Sequence, residues 1–364
     1  MQGGLKLGVS WASTMGGREE QQDAFLIGYY GKHLGVFDGV GGHEGGRYFA
    51  QKLSAALNQN IFKGEYTKAQ VQDYIDKGMC KNEDEGLVYI LTRKFREISS
   101  GLEQELQKFD GGTTACVVFR IKDLNKKPLT IVVNIGDSRC YLRMNDGEVY
   151  LITRDHSTVQ LHIDQGELKI RDAHGTGYGH EINQAMCDGR IDPDIFFLRP
   201  NKKGIRLDGF LHRNHVGVNE DAKVITLGQD PIQIVDYTAV GMRDNPDYFD
   251  NYIVVQKHMV GKNPMILLCT DGLTDELAHW LEIKRKGETD THYPNLTEPF
   301  LDHNVPKDLI KKANGYTSES LLGWILSSIQ EMEIAEKVLE KVFCHGLVDR
   351  DNATLIIGSL WGEE

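Results

Sequence analysis

A chain of 364 residues with 40% hydrophobic and 26% charged residues has material for one large domain or two average ones, with a sizeable core. Its formal charge of -12 argues against a general binder of nucleic acid or of acidic membranes, since both reward basic proteins. The six cysteines form no CxxC pair and several sit inside apolar runs, so reduced, packed thiols are expected and a zinc site is not. The start of the chain lacks the apolar stretch of a secretion signal, and no run of apolar residues is long enough to span a bilayer. A cytoplasmic setting is the expectation.

In chain order, strands are predicted over Leu5–Ser10, Ala24–Tyr30 and Leu34–Phe37, separated by glycine-rich turns. Two helices follow. Over Gly46–Phe62 the residues Phe49, Ala50, Leu53, Ala56, Leu57 and Ile61 recur at helical spacing. Over Glu83–Phe109 an apolar stripe runs through Leu87, Ile90, Leu91, Phe95, Ile98, Leu102 and Leu106. Strands return at Thr113–Ile121, Leu129–Ile135, Arg139–Met144 and Val149–Thr153, the last two joined by a hairpin turn at Asn145-Asp146-Gly147. Residues 165–262 are irregular and polar, with short strands at Val224–Leu227 and Ile232–Val240, and suit inserted loops or a flap. A strand at 265–270 leads to a short helix, then a long amphipathic helix over Ser318–Phe343 capped at Thr317-Ser318, and a closing strand at Ala353–Leu360. Strands, helices, then strands without regular βα alternation imply mixed α and β structure with largely antiparallel pairing.

Three acidic positions mark the ends of apolar runs. Asp38-Gly39 follows His33–Phe37, Asp271-Gly272 follows Met265–Thr270, and Asp351-Asn352 precedes Ala353–Gly358. An Asp-Gly pair by itself is usually a turn, as at Asp146-Gly147. Here the preceding runs put the carboxylates at the rim of a sheet. Carboxylates gathered there repel one another unless a cation neutralises them, so a divalent metal centre is indicated. The glycine-rich Asp38-Gly-Val-Gly-Gly-His43-Glu-Gly-Gly turn leaves the Gly39 carbonyl as a further hard oxygen donor. Arg18 lies just ahead of Gln22-Asp23-Ala24, where it can grip a phosphate in bidentate fashion or simply pair with Glu19 or Glu20.

Taken together, Asp38-Gly39-Val-Gly41-Gly42, Gly112-Thr113-Thr114-Ala115, Gly136-Asp137-Ser138-Arg139, Thr153-Arg-Asp155-His156-Ser157, Thr270-Asp271-Gly272-Leu273-Thr-Asp275 and Asp351-Asn352 resemble, in content and order, the metal-dependent type 2C Ser/Thr protein phosphatases. The Gly-Gly-His-Glu-Gly-Gly and Arg-Asp-His-Ser stretches are similar to bacterial members in particular. The resemblance implies an α+β fold, a four-layer α-β-β-α sandwich with two central, mainly antiparallel sheets, and one catalytic domain over 1–364 with 165–262 as its enlarged flap. It implies two Mg²⁺ or Mn²⁺ ions and a third, weaker one. Asp38 would bridge the two ions with the Gly39 carbonyl on one, Asp271 and Asp351 would complete the other, and Asp137 would help hold the third.

Asp38, Asp271 and Arg18 become the catalytic residues on this resemblance, Arg18 holding the substrate phosphate while Gln22 and Asp23 back the ligands. Arg139, Asp155 and His156 are expected to be structural. The reaction implied is hydrolysis of phosphoserine and phosphothreonine in proteins by in-line attack of a metal-activated water, without a covalent intermediate. A monomer acting on phosphoprotein substrates is expected. Three departures stand out. Neutral Gln22 occupies a position where many relatives carry Glu. Val40 replaces a His proposed as general acid in some of them, with His43 three residues on as a substitute acid or a helix start. The stretch 165–262 exceeds the usual flap. A catalytically silent regulatory module and a phosphatase of small phosphomonoesters are the alternatives.

Overall fold

In a computed structural model of the chain, the described residues are 2–28, 31–60, 68–105, 109–143, 149–165, 167, 181–186, 191–201, 204–212, 224–227, 232–236, 264–275, 334–343 and 351–361, apart from 7 and 42. The amino-terminal strands are β1 (Gln2–Lys6), β2 (Val9–Thr14), β3 (Ala24–Gly28), β4 (His33–Phe37) and the short β5 (Gly39–Val40). Helices α1 (His43–Asn60), α2 (Lys68–Asp76) and α3 (Glu83–Glu105) follow. Next come β6 (Gly112–Thr113), β7 (Ala115–Lys122), β8 (Pro128–Ile135), β9 (Arg139–Arg143), β10 (Val149–Leu151) and helix α4 (Thr158–Asp164). The remaining elements are β11 (Asp194–Asn201), β12 (Gly204–His212), β13 (Val224–Leu227), β14 (Ile232–Asp236), β15 (Met265–Cys269), helix α5 (Ile334–Val342) and β16 (Ala353–Ser359).

The strands build a six-stranded sheet in the order β1-β2-β16-β15-β9-β10 and an eight-stranded sheet in the order β13-β14-β12-β11-β8-β7-β4-β3. Every strand pairing among the described residues is antiparallel. Because side chains alternate across a strand, each sheet supplies two apolar faces. Val117, Phe119, Ile131 and Val133 face the layer shared with α1, α2 and α3, where Phe49, Leu53, Leu91 and Phe95 pack. Their neighbours Cys116, Val118 and Val132 face inward and meet Ile266, Leu268 and Ile356 of the other sheet. On that sheet's outer side Leu267, Leu355 and Ile357 pack against Ala335, Val338, Leu339 and Val342 of α5. Helix, sheet, sheet, helix: the four-layer α+β sandwich implied by the motifs is the fold observed.

Three differences from the sequence expectation have physical causes. The run Leu5–Ser10 is broken, because Gly8 at φ 68 turns the chain so that Lys6 pairs with Val9 across the β1–β2 hairpin. Helix α2 lacks a long apolar stripe and anchors chiefly through Val71 and partly buried Tyr74 and Ile75, which left too weak a period to predict. Within 165–262, the segment 194–212 is a buried hairpin whose β11 pairs with β8 at the centre of the large sheet. Asp194, Arg199, Arg206 and Asp208 gave it a polar look, yet Ile195, Phe196, Phe197, Leu198 and Leu207 are buried.

Elsewhere the strands and α1 and α3 fall where periodicity put them, within a few residues. Ile61, Leu106, the turn at Asn145-Asp146-Gly147 and the helix expected over 318–333 lie outside the described residues. Cys80, Cys116, Cys140 and Cys269 are free and buried, as packed thiols. Among the described residues no helix is long and apolar enough to cross a membrane.

Candidate metal centre

One end of the sandwich collects the acidic residues. Asp38 leaves β4, Asp137 sits between β8 and β9, Asp271 follows β15, Asp351 precedes β16 and Asp23 precedes β3. Asp275 lies one helical turn beyond Asp271, in the turn over 271–275.

Backbone contacts fix this convergence. The Asp38 N–H donates to Thr114 Oγ1 at 2.9 Å, the Asp38 carbonyl accepts from the Thr114 N–H at 2.8 Å, and Thr113 Oγ1 donates to that carbonyl at 2.9 Å. Thr114 Oγ1 then lies 2.7 Å from Ser138 Oγ, tying the Asp38 turn to the one carrying Asp137. Thr113 ends β6 and Thr114 lies just ahead of β7, so the Gly-Thr-Thr-Ala stretch is the backbone partner of the Asp38-Gly39 turn.

On the other sheet, Thr270 N–H donates to the Thr354 carbonyl at 3.1 Å, and Thr354 N–H donates to Thr270 Oγ1 at 2.9 Å. Gly272 is pressed against the same segment: a Cβ there would lie 2.0 Å from the Asn352 carbonyl oxygen and 3.4 Å from Asp351 Cβ. Only glycine lets Asp271 and Asp351 come together. Gly272→Ala is therefore expected to cost about 3 kcal/mol, since backbone rather than a flexible side chain blocks the methyl group. Chemical denaturation of the two proteins checks this, and a cost below about 0.5 kcal/mol would contradict the close approach.

Asn352 is a residue the sequence argument quoted without assigning it a task. Its side-chain Oδ1 accepts from Gln22 N–H at 2.7 Å, and its Nδ2 donates to the Met15 carbonyl at 2.8 Å and the Glu20 carbonyl at 3.1 Å. One amide thus holds the whole Arg18-bearing loop against Asp351. Asp23, buried, accepts at Oδ2 from Thr270 Oγ1 at 2.9 Å and Thr354 Oγ1 at 2.8 Å, while its Oδ1 has no hydrogen-bond partner.

The electrostatics follow from this crowding. Burial is the largest cause that raises the proton affinity of Asp38, Asp137 and Asp275 well above the ordinary carboxylate value, with the Asp271 charge next for each. Asp38 and Asp271 also share a side-chain hydrogen bond. Burial pushes Asp23 up to about 8 against the pull of its two threonine donors, with Asp271 and Asp351 adding to the rise. The nearby cation, Arg139, relieves this only in part, at Asp275. Arg139 is bound to Asp155 in a fork, with Nε at 3.0 and 3.1 Å from its two oxygens and Nη2 at 2.5 Å. Burial opposes the Arg139 charge, yet Asp155 and Tyr141 outweigh it.

Arg18 meets neither Glu19 nor Glu20. Its Nη2 lies 2.7 Å from Asp351 Oδ2, and both side chains are about half exposed. Val40 pairs with Gly112 in the small β5–β6 ladder and His43 opens α1. Gly39 packs against the first turn of that helix, where its Cβ would lie 2.4 Å from the Gly46 carbonyl carbon.

Among the described residues no three acidic or histidine side chains are drawn together tightly enough to hold an ion as they stand. The donors nevertheless fit hard divalent cations: all are oxygens, they crowd at one rim, and a buried oxygen of Asp23 lacks a partner. Asp275 joins the cluster without having been singled out. Its place in Thr270-Asp271-Gly272-Leu273-Thr-Asp275, one turn beyond Asp271, was the available signal.

The family model of protein phosphatase 2C matches residues 30–175. Protein phosphatase 1L of Bos taurus is 30% identical over 163 residues, covering 42% of this chain and 40% of that protein. Serine/threonine protein phosphatase PstP of Mycobacterium tuberculosis is 26% identical over 187 residues, 49% of this chain and 30% of that protein. Serine/threonine phosphatase stp of Listeria innocua is 26% identical over 164 residues, 45% of this chain and 59% of that protein. Over part of its length the chain is similar to type 2C Ser/Thr phosphatases, bacterial ones among them, and its matches span less than two thirds of these relatives' lengths.

Solved structures agree on the fold. A bacterial serine phosphatase superposes with TM-score 0.56 at 17% identity, covering 98% of both chains. Stp1 from Staphylococcus aureus superposes with TM-score 0.52 at 17% identity, covering 99% of this chain and 97% of that one.

Proposed function

We propose that this protein is a divalent-metal-dependent phosphatase of phosphoserine and phosphothreonine in proteins. One observation carries the proposal: Asp23, Asp38, Asp137 and Asp275 converge on Asp271 at one rim with raised proton affinities, and the nearest cation, Arg139, is engaged by Asp155. Such a cluster is costly in an isolated protein and useful around cations. The family match over 30–175 supports the same reading.

In this proposal Asp38 and the Gly39 carbonyl, with Asp271 and Asp351, hold two Mg²⁺ or Mn²⁺ ions, and Asp137 contributes to a third. Bound ions would lower the pKa of a water and screen charge on the phosphoryl group. The chain's own residues do the rest. Thr113 and Thr114 fix the Asp38 backbone, Thr270 and Thr354 fix Asp23, and Asn352 fixes the loop that delivers Arg18. Arg18, about half exposed beside Asp351, would grip the substrate phosphate through its planar fork. The Gln22 amide oxygen would offer water near a bound cation an acceptor without adding charge. A single catalytic domain with its flap drawn from the loops of 165–262, a monomeric state and a cytoplasmic setting belong to the same proposal.

The test is hydrolysis of a phosphothreonine peptide by the purified chain with Mn²⁺, with Mg²⁺ and with EDTA. Activity is expected with either ion and none with the chelator. Metal-independent turnover, or none with any ion, overturns the proposal. In the same assay Arg18→Ala is expected to raise KM ~10-fold or more with a smaller change in kcat, because the guanidinium holds the phosphate in ground and transition states alike.

A further inference from the structure

Asp137 follows a glycine that the structure holds in an unusual way. Gly136 has φ 94, and a Cβ on it would lie 2.7 Å from Thr114 Cγ2. Its N–H donates to Nδ1 of His156 at 3.2 Å, and the His156 N–H donates back to the Gly136 carbonyl at 3.0 Å. Asn134 Nδ2 donates to the same carbonyl at 3.2 Å and to the Arg154 carbonyl at 2.9 Å. Two turns distant in sequence are thereby locked face to face.

The imidazole is also held through Gln184 and faces a buried carboxylate. His156 is 2% exposed, and its Nδ1 also accepts from Gln184 Nε2 at 3.1 Å. A ring nitrogen that accepts carries no proton, so the neutral ring keeps its proton on Nε2, which lies 3.1 Å from Oδ2 of the fully buried Asp194. Gln184 is fixed in turn, its Nε2 donating to the Asp192 carbonyl at 3.0 Å and its Oε1 accepting from the Asp192 N–H at 2.9 Å. The Asp192 carboxylate pairs with Arg96 of α3, and Arg96 Nε donates to the Ile191 carbonyl at 2.9 Å. A buried polar chain therefore runs from α3 through the start of β11 to the turn that carries Asp137.

We propose that His156 is the positioning residue of Asp137, its Nδ1 serving as the hook for the Gly136 amide; this rests on Asp137 being a cation ligand, as proposed above. The hook has a task to do. Asp137 is buried and crowded by the charges of Asp271, Asp155 and Asp275, so its carboxylate must be held in place against them. A glycine turn has no side chain of its own to resist that push. The stretch expected to be an insert thus reaches the turn that carries Asp137 through Gln184 and Asp194.

Two substitutions separate this role from a purely structural one. His156→Asn keeps an acceptor near the Nδ1 position and strands Asp194. His156→Gln keeps a donor reaching towards Asp194 and loses the acceptor. In ¹⁵N-glycine-labelled, metal-free protein, the Gly136 amide is expected to exchange with solvent at least ~10-fold faster in His156→Gln and near the wild-type rate in His156→Asn. In a calorimetric Mn²⁺ titration the weakest binding step is expected to weaken ~10-fold in His156→Gln only.

Thermal unfolding should rank the two the other way, since His156→Asn leaves a buried carboxylate unpaired. If His156→Asn does not fold, the double variant His156→Asn/Asp194→Asn replaces it. Unchanged Gly136 exchange in His156→Gln, or Mn²⁺ affinity that merely follows thermal stability, overturns the proposal. Absence of Mn²⁺ binding by the wild type would defeat the metal reading instead, while the exchange rates still decide whether His156 holds the turn.

Discussion

Asp271→Asn is expected to leave the protein inactive and, without metal, more stable than the wild type. Asp271 is the hub of the acidic cluster: after burial itself, its charge is the largest cause raising Asp38, Asp137 and Asp275, and it also raises Asp23. Replacing it by the near-isosteric amide removes that repulsion and keeps a hydrogen-bonding group beside Asp38. The metal-free melting temperature should rise by about 2 °C or more, the shift that ~1 kcal/mol produces in a large domain. Activity should fall ~10³-fold or more, since even an outer partner of a metal ligand is worth 10–100-fold.

Paired melting curves with EDTA and with Mn²⁺ supply the measurement. The wild type is expected to gain stability from the ion and the variant to gain much less. A variant that is destabilised without metal, or that still gains fully from Mn²⁺, would show that Asp271 is a structural carboxylate. The opposed signs separate the readings: a side chain kept for folding does not destabilise the fold it belongs to.

Stability of the metal-free protein is also expected to fall as pH rises from 6.5 to 8.5. The folded protein holds a proton on Asp23, raised to about 8, and Asp38, Asp137 and Asp275 are shifted in the same direction, whereas the unfolded chain releases all four near the ordinary carboxylate value. A folded state that binds more protons than the unfolded one loses stability with rising pH until its own groups have titrated.

His33 acts in the opposite direction. Burial lowers it from 6.5 to about 4, so its contribution rises with pH between those values and is complete above 6.5. The carboxylates are therefore seen without that opposition above pH 6.5. Melting temperatures in EDTA across that window should decline, and saturating Mg²⁺ should lift them most at the alkaline end. A metal-free melting temperature that climbs through the window, or an equal lift from Mg²⁺ at both ends, would contradict the crowding argument.

Much of this was legible along the chain. Asp38 and Asp271 ended apolar runs, so their place at a sheet rim followed from strand length and alternation alone. Helices α1 and α3 announced themselves by apolar stripes that the core clusters bury. Other features were hidden because their signal is not local. The hairpin of β11 and β12 carries charged residues that meet partners far away, Arg199 with Asp84 of α3 for one, so its composition imitates a loop. Asn352 looked like the tail of an acidic motif, and only its three contacts with Met15, Glu20 and Gln22 show that it carries the Arg18 loop. Arg18 was placed beside a phosphate or a neighbouring glutamate, and it lies on Asp351, some 330 residues away.

The sequence by itself determined which residues are acidic, which runs are strands, and where a strand must stop, because hydrophobic alternation and glycine act over a few residues. That sufficed to name Asp38, Asp271, Asp351 and Asp137 as one set through their order along the chain. Only the tertiary structure decided how those carboxylates affect one another. Repulsion, burial and shared hydrogen bonds depend on distances through space, and residues more than 200 positions apart set them here, as Asp38 and Asp271 do. The same holds for His156 and Gly136, whose mutual grip no local pattern encodes.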